Sequence, residues 1–487
     1  MPFMPRDVPI LHARQSLRFQ DYDFSVGLLD YDDCTIEKYS LVCHDAPCES
    51  GAVLELSALD MIMPRNWMPF TYAFQNIKAQ PNFMSPEKLK TSLSKALAII
   101  PALSGRLECE EGGSTTDFLK PKSRTRILLN NKGAWFSTAN MTTPFSEMLN
   151  EHFCTTLLPA PFIFKRFVST VIESRRASVD IPLIAVKAVY FPCGSVVLTV
   201  YINHIVCDSR SMYEFVRLWG KIAQGLVPEP LVDSRHLLAT LHRPRPEDSE
   251  AAEKKFESQA PFQPLTTDMR MCTVRVHEER LKQITKEINS KLNSDWVTCE
   301  ELFFCIVCRM LLRARKCDLG PYYIRTVNIR KYLDLDSSAF GNFTGVPFED
   351  PIKMTDLLTV PLEKAIPSIK GRLLAFDKRN VAKTVQDYLS VNPAALSVKL
   401  KKIGPRAVDS NNLANHDPSQ IDFDNSPACY FFSCLYINGA FTINPVYNGY
   451  HNSCIGVDEL IINDLKNDKE ALDLGFTVTP LRKLLLK

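Results

Sequence analysis

The pattern of hydrophobic and polar positions in the first half of the chain predicts both helices and strands. Apolar residues recur at helical spacing after Ser85 and Pro86, which predicts a helix that ends before Pro101. Two β-branched runs, over 181–191 and 195–202, are separated by a short turn and are typical of neighbouring strands. The second of these strands leads into a loop.

Another helix is predicted after this loop. Ser211 and Glu214 have the spacing of a capping box, and an apolar helical face continues from there until Gly225. The local order is therefore strand, short loop, helix.

The second half shows the same alternation. It contains a predicted strand over 272–276, helices over 278–292 and 300–315, and strand-like runs over 322–327 and 430–437. These elements predict a second mixed sheet flanked by helices. The chain is therefore expected to have an α/β fold.

A stretch of different composition divides the chain. Residues 225–268 contain six prolines and a charged run, which is typical of a crossover between domains. The segments on either side are each long enough to form a core. We expect an N-terminal domain over 1–224, a crossover over 225–270 and a C-terminal domain over 271–487.

Composition excludes several function classes. The 57 basic residues almost balance the 55 acidic ones. The chain therefore lacks the excess of positive charge that is typical of proteins that bind nucleic acid or an anionic membrane. No apolar run approaches the roughly 20 residues of a membrane span, and the N-terminus lacks the pattern of a secretory signal. The 15 cysteines have no framework spacing, which fits reduced thiols. We expect a cytoplasmic protein and, from its two sizeable cores, a monomer.

The usual metal and nucleotide motifs are missing from the sequence. Cys305 and Cys308 form a CxxC pair without a second pair at metal spacing, and buried helix packing is the preferred interpretation. Neither a P-loop nor a GxGxxG string occurs. No metal site, nucleotide hydrolysis or dinucleotide redox chemistry is therefore expected.

The candidate chemistry lies where a predicted strand gives way to a helix. His204 and Asp208 form an HxxxD pattern there, and loops at strand ends often present catalytic groups. A histidine with a pKa of about 6.5 can accept a proton at neutral pH, and a nearby carboxylate can fix the loop. The alternative, purely structural interpretation is a histidine that is hydrogen-bonded at the end of a strand. Cys207, inside the motif, is interpreted as a core residue.

Several short segments occur in the order found in one enzyme family. They are LSALD at 56–60, the helical run at 89–107, HxxxD at 204–208, the crossover segment at 230–237, VNIR at 327–330 and FGN at 340–342. With this order the chain resembles the BAHD family of acyl-CoA-dependent acyltransferases over about 54–345. The resemblance is closer to divergent microbial or fungal members than to plant ones.

The resemblance implies a fold, a reaction and residue roles. The fold would be two similar-sized domains of the chloramphenicol-acetyltransferase-like type, with a channel at their interface. Acyl-CoA would be the co-substrate, with no permanent cofactor, and His204 would take a proton from a hydroxyl or amine of a specialised metabolite. No covalent acyl-enzyme is implied. Asp208 would point away from the substrate and pair with an arginine. An oxyanion donor is also required, although the sequence identifies neither that donor nor the CoA-binding residues.

Two departures from the family pattern keep alternatives open. Ser209 stands where the family usually has glycine, and the DFGWG string is absent, its nearest counterpart by position being 437–441. One alternative is a non-catalytic relative that binds a small molecule or a protein. Another is a condensation-type enzyme that takes its acyl group from a carrier protein. Such enzymes usually carry HHxxxDG, whereas Asn203 precedes His204 here.

Overall fold

The structure is a computed structural model of the chain. It describes residues 34–47, 51–57, 59–60, 63, 67–109, 125–142, 144–148, 182–239, 269–316, 322–345, 357–374, 407–433 and 439–480. The strands, numbered along the chain, are β1 (Cys34–Val42), β2 (Val53–Glu55), β3 (Trp67–Phe74), β4 (Arg106–Cys109), β5 (Thr125–Leu128), β6 (Ala134–Met141), β7 (Ile184–Tyr190), β8 (Val196–Asn203), β9 (Val232–Asp233), β10 (Met269–His277), β11 (Tyr322–Arg325), β12 (Val327–Asn328), β13 (Ala339–Phe340), β14 (Thr344–Gly345), β15 (Ala407–Asn412), β16 (Asp422–Phe423), β17 (Ser426–Pro427), β18 (Tyr430–Ser433), β19 (Ala440–Tyr447), β20 (Tyr450–Asp458) and β21 (Thr477–Pro480). The α-helices are α1 (Pro86–Ile99), α2 (Phe145–Met148), α3 (Ser209–Ala223), α4 (His236–Ala239), α5 (Glu278–Leu292), α6 (Cys299–Arg315), α7 (Leu362–Leu374), α8 (Ile462–Lys466) and α9 (Lys469–Asp473). Short 3-10 helices cover Pro101–Ser104, Arg330–Tyr332, Pro418–Gln420 and Glu459–Ile461.

Six strands form the first sheet in the order β1-β6-β7-β8-β3-β18. The β6–β7 pair is parallel and the other pairs are antiparallel. The two neighbouring strands predicted from the sequence are confirmed as β7 and β8, and Gly194 in their turn has a φ of +77°, which glycine adopts without strain. One face of the sheet shares a core with α1 and α3, where the Trp219 indole donates to Ser92 Oγ at 2.9 Å.

The second sheet has the order β11-β15-β19-β20-β10-β21. Its first three strands are parallel to one another and the remaining pairs are antiparallel, so this sheet is also mixed. The predicted helices are confirmed as α5 and α6, and Thr298 and Glu301 close a reciprocal capping box at the start of α6. The other face of the first sheet packs against this half in a third cluster that includes Met271 and Cys454.

One strand assignment from the sequence is wrong. The run over 430–437 was expected in the second sheet, but β18 pairs with β3 in the first sheet, with Tyr430 opposite Ala73. All four β18 residues are buried, so the strand has no polar face that would indicate which sheet it joins. The domain limits at 1–224, 225–270 and 271–487 stay a prediction, and residues 240–268 of the crossover lie outside the described part of the chain.

The predicted start of α3 is also wrong, by three residues. Asp208, not Ser211, is the N-cap, and its carboxylate accepts from Ser211 N at 2.9 Å. Ser211 Oγ contacts Gly341 instead of capping the helix, and Glu214 pairs with two arginines. The capping-box spacing was therefore a coincidence at this site.

Two short strand pairings involve the segment over residues 327–345. β13 lies parallel to β9, and β12 pairs antiparallel with β14. Hydrogen bonds from Arg330, Asn342 and Phe343 place the segment beside the turn between β8 and α3. Within the described residues, no helix is long and apolar enough to cross a membrane.

Candidate active site

His204 follows β8 directly and opens the turn over 204–208, here termed the His204 loop. Asn203 shapes this turn, because its carbonyl accepts from Val206 N at 2.9 Å and its Oδ1 accepts from Ile205 N at 3.2 Å. The imidazole is half-buried, and its Nδ1 is buried without a hydrogen-bond partner among the described residues. Burial lowers the pKa of His204 below 6.5, and the Asp208 charge offsets part of this shift. The ring is therefore neutral at neutral pH.

Asp208 closes the same loop and is buried. Its carboxylate accepts two hydrogen bonds from Arg330, at 2.9 and 3.0 Å, and one from Phe343 N at 2.8 Å. It also accepts from Ser211 N at the start of α3. Burial alone raises the pKa of Asp208, but the Arg330 charge and these hydrogen bonds hold it below its usual value. Asp208 is therefore an ionised, fully engaged carboxylate.

Arg330 is the arginine that the family resemblance implied for Asp208. Its Nε donates to Ala339 O at 3.0 Å, its Nη1 also reaches Asn328 Oδ1 at 3.2 Å, and its guanidinium lies 4.8 Å from the centre of the Phe343 ring. A bidentate arginine with all its donors directed fixes the carboxylate rigidly. The loop is thus held from the second half of the chain.

The FGN segment forms a second contact with the loop. Asn342 Nδ2 donates to the His204 carbonyl oxygen at 2.9 Å, and Gly341 exchanges two hydrogen bonds with Ser211. Gly341 has a φ of +140°, and a Cβ there would meet the Arg235 side chain at 3.2 Å. The backbone conformation would strain any other residue at this position, and the close approach of Arg235 adds to the preference for glycine.

Ser209, the residue that departs from the family pattern, is the first residue of α3. It is not among the residues with positive φ, so this position has no conformational need for glycine. The Ser209 carbonyl accepts a hydrogen bond from the His416 ring at 3.2 Å. The departure therefore leaves the turn intact.

The cysteine predictions agree with the structure. Cys207 is completely buried, and burial raises its pKa well above the usual range, so it is not a thiolate nucleophile. Cys305 and Cys308 are buried within α6. In the described segments, no group of His, Cys, Asp and Glu could hold a metal ion.

The segment proposed as the counterpart of DFGWG is only partly visible, because residues 434–438 lie outside the described ranges. Gly439 has a φ of +84°, its N donates to Gly456 O at 2.7 Å, and a Cβ would overlap the Arg315 guanidinium. The left-handed φ therefore favours glycine where this segment meets the end of α6. Two other basic residues of α6, Arg309 and Arg313, form ion pairs with carboxylates of α9 and its N-cap, so their charges are balanced within the protein.

Solved structures with a similar fold include vinorine synthase and TRI101. The vinorine synthase crystal structure has a TM-score of 0.64 and 16% identity, covering 91% of this chain and 98% of that chain. F. sporotrichioides TRI101 complexed with coenzyme A and T-2 has a TM-score of 0.66 and 14% identity, covering 88% and 99%. The predicted chloramphenicol-acetyltransferase-like α/β class, with mixed sheets flanked by helices, is confirmed.

Sequence comparison identifies the family within that class. The family model described as the Transferase family matches residues 33–423, so the chain belongs to this family, that of the BAHD acyltransferases. Its members use acyl-CoA as a co-substrate. A hydroxycinnamoyltransferase from Narcissus pseudonarcissus is 26% identical over 352 residues, which cover 69% of this chain and 75% of that protein.

Sequence reasoning did not find every residue of this arrangement. It singled out His204 and Asp208 but quoted Arg330 and Asn342 only as parts of ordered motifs. The structure brings all four together at one turn. The signal was present in VNIR and FGN, but a linear string does not say which loop its side chains contact.

Proposed function

We propose that the chain transfers an acyl group from acyl-CoA to a hydroxyl or amine of a small specialised metabolite, with His204 as general base. The observation that carries the proposal is a neutral, half-buried imidazole at a strand end whose loop is fixed from the second half of the chain. Family membership supports the acyl-CoA donor. The name of the Narcissus relative makes hydroxycinnamoyl-CoA a first donor to test.

In the proposed reaction, the acceptor oxygen or nitrogen attacks the thioester carbonyl while its proton moves to His204. Because Nδ1 is buried, Nε2 is the nitrogen left for this proton. The tetrahedral intermediate then collapses, the C–S bond breaks, and the imidazolium returns the proton to the departing thiolate to give free coenzyme A. General-base assistance of this kind contributes about 10²- to 10⁴-fold.

Direct transfer without an acyl-enzyme is part of the proposal. Its support is that Cys207, the thiol inside the motif, is buried with a raised pKa. The test is intact-protein mass spectrometry after mixing the protein with acyl-CoA in the absence of acceptor. We expect no acyl adduct, and a stoichiometric adduct that forms and decays at the rate of turnover would contradict direct transfer.

The general base is tested by His204→Ala, with the exposed His236→Ala as a matched control. Both variants are assayed with hydroxycinnamoyl-CoA and acetyl-CoA against a panel of alcohols and amines. We expect His204→Ala to keep its fold by circular dichroism and to lose most activity, while His236→Ala resembles the unmodified protein. Full activity of His204→Ala would contradict the role of His204 as general base.

The two alternatives from the sequence become outcomes of the same assays. Transfer from an acylated carrier protein, but not from acyl-CoA, would favour a condensation-type enzyme. Calorimetric binding of coenzyme A without turnover on any acceptor would favour a non-catalytic relative. The chain is further proposed to act as a cytoplasmic monomer, which analytical ultracentrifugation and localisation of a tagged protein would test.

A further inference from the structure

A second buried ion pair lies beside the His204 loop. The Asp60 side chain is completely buried and Arg235 is 3% exposed, and Arg235 Nε donates to Asp60 Oδ2 at 3.1 Å. Arg235 also pairs with Asp233 and donates to the carbonyl oxygen of Val206, inside the loop. This pair therefore contacts the loop that carries His204, as the Asp208–Arg330 pair does.

Asp60 is engaged on both of its carboxylate oxygens. Oδ2 accepts from Ser57 N at 2.8 Å and from Ser57 Oγ at 2.7 Å, in addition to Arg235. Oδ1 accepts from Asn342 Nδ2 at 2.8 Å. The same Asn342 nitrogen donates to the carbonyl oxygens of His204 at 2.9 Å and Ile205 at 3.3 Å. Asp60 is therefore one hydrogen-bonded residue away from His204.

Three acceptors together determine which way the Asn342 amide faces: the Asp60 carboxylate and the carbonyl oxygens of His204 and Ile205. A carboxylate only accepts hydrogen bonds, so the end of the amide that meets Asp60 must be the NH₂ group. That orientation also directs NH₂ at the His204 carbonyl and leaves Asn342 Oδ1 buried without a partner among the described residues. Leaving a buried acceptor unsatisfied is costly, and the three contacts of the NH₂ group offset this cost. Asp60, paired with Arg235, supplies the one carboxylate among these three acceptors.

We propose that Asp60 is a positioning residue for His204, acting through the orientation of the Asn342 amide. This inference rests on the proposed role of His204 as general base. In this arrangement Asp60 fixes the amide, the amide holds the His204 carbonyl, and Arg235 holds the loop two residues further on. A misplacement of the base by about 1 Å can cost about 100-fold in rate.

The test is a double-mutant cycle between Asp60→Asn and His204→Ala. We expect Asp60→Asn to lower kcat about 10- to 100-fold with the KM for acyl-CoA within about twofold, since the base loses position and the donor site is untouched. In the His204→Ala background, assayed at high enzyme concentration, the same substitution should cause no further loss. Non-additivity is the readout that a merely structural carboxylate would not produce.

Asp468→Asn is the matched control for general loss of stability. Asp468 is a buried carboxylate that accepts two hydrogen bonds from Arg313, at 2.6 and 2.8 Å, and caps α9 in the second core. We expect the Tm of Asp468→Asn to fall by about as much as that of Asp60→Asn, while its kcat stays within twofold of that of the unmodified protein. If Asp60→Asn fails to fold, Asn342→Ala enters the cycle in its place, with the same expectation.

Each outcome decides the inference. An unchanged kcat, or an equal further loss in the His204→Ala background, overturns the role of Asp60 while the general base stands. Full activity of His204→Ala alone overturns the proposed function, and with it this inference.

Discussion

His204 and His416 lie near the same helix end but in opposite surroundings. Polar side chains from distant segments bind the carbonyls and the carboxylate of the His204 loop, whereas aromatic rings surround His416. The ring centres of Phe70, Tyr213 and Phe431 lie 5.6, 4.9 and 6.1 Å from that of His416. Burial lowers the pKa of both histidines, to about 4 for His416.

The difference shows that a lowered histidine pKa does not by itself mark a catalytic group. His416 is 6% exposed and uses its Nε2–H to bond the Ser209 carbonyl, so its surroundings stabilise the fold. His204 keeps partial exposure, and its loop is fixed through its backbone and Asp208, which leaves the ring itself available. Access to the ring therefore separates the role proposed for His204 from the structural role of His416.

The largest loss of stability is expected from breaking the ion pair between Asp208 and Arg330. Arg330→Leu leaves the Asp208 carboxylate buried without its partner and should lower the free energy of unfolding by about 3–5 kcal/mol. Urea unfolding measures this change. Adding Asp208→Asn should restore part of the loss, because the uncompensated charge is removed. A loss below about 1 kcal/mol in the single variant would mean that water reaches Asp208.

His416 should make stability depend on pH. Its pKa of about 4 in the folded chain is below the usual 6.5, so the unfolded chain takes up a proton that the folded chain excludes. Its contribution is fully present above pH 6.5 and is lost as the pH falls towards 4, by about 3 kcal/mol in total. His416→Phe should flatten this part of the stability curve, measured by urea unfolding at several pH values. An unchanged slope would assign the dependence to other groups.

The pH dependence of activity should reflect the pKa of His204. With the pKa of His204 lowered, the acid limb of kcat/KM is expected to lie below pH 6.5, falling about tenfold per pH unit. His416→Phe should leave this limb in place, provided that the protein is folded over the range measured. An acid limb centred above 6.5 would show that the charge of Asp208 outweighs the effect of burial on this imidazole.

The smallest effect is expected at Ser209, which connects the two regions through its carbonyl. Ser209→Gly should change the free energy of unfolding by less than about 1 kcal/mol, because the first helical position has ordinary φ here. Its activity should stay within twofold. A large gain in activity would indicate that the family glycine serves the reaction rather than the turn.

Local elements were predictable from the sequence, and long-range contacts were not. α1, α5, α6 and the β7–β8 pair were found because apolar periodicity and turn signals act over a few residues. The Asp208–Arg330 bond spans 122 positions and the Asn342–Asp60 bond spans 282. No spacing rule connects such pairs, so only family order suggested that these segments matter together.

The same limit explains the wrong assignment of β18. Its apolar residues correctly predicted a buried strand, but both sheets offered a buried position. The choice depends on pairing with β3, which is more than 350 residues away at Cys429–Ala73. The prediction of where α3 starts was wrong for a different reason. Asp208 both caps the helix and pairs with Arg330, and the capping-box spacing does not show this.

The return of β18 to the first sheet has a consequence for synthesis. During translation, β3 is made early, yet the strand that covers its open edge leaves the ribosome only after about nine-tenths of the chain. Until then a fully buried apolar strand presents unpaired backbone groups, the kind of edge that joins other chains. A fragment that stops before residue 430 should therefore aggregate in cells rather than accumulate as a folded protein.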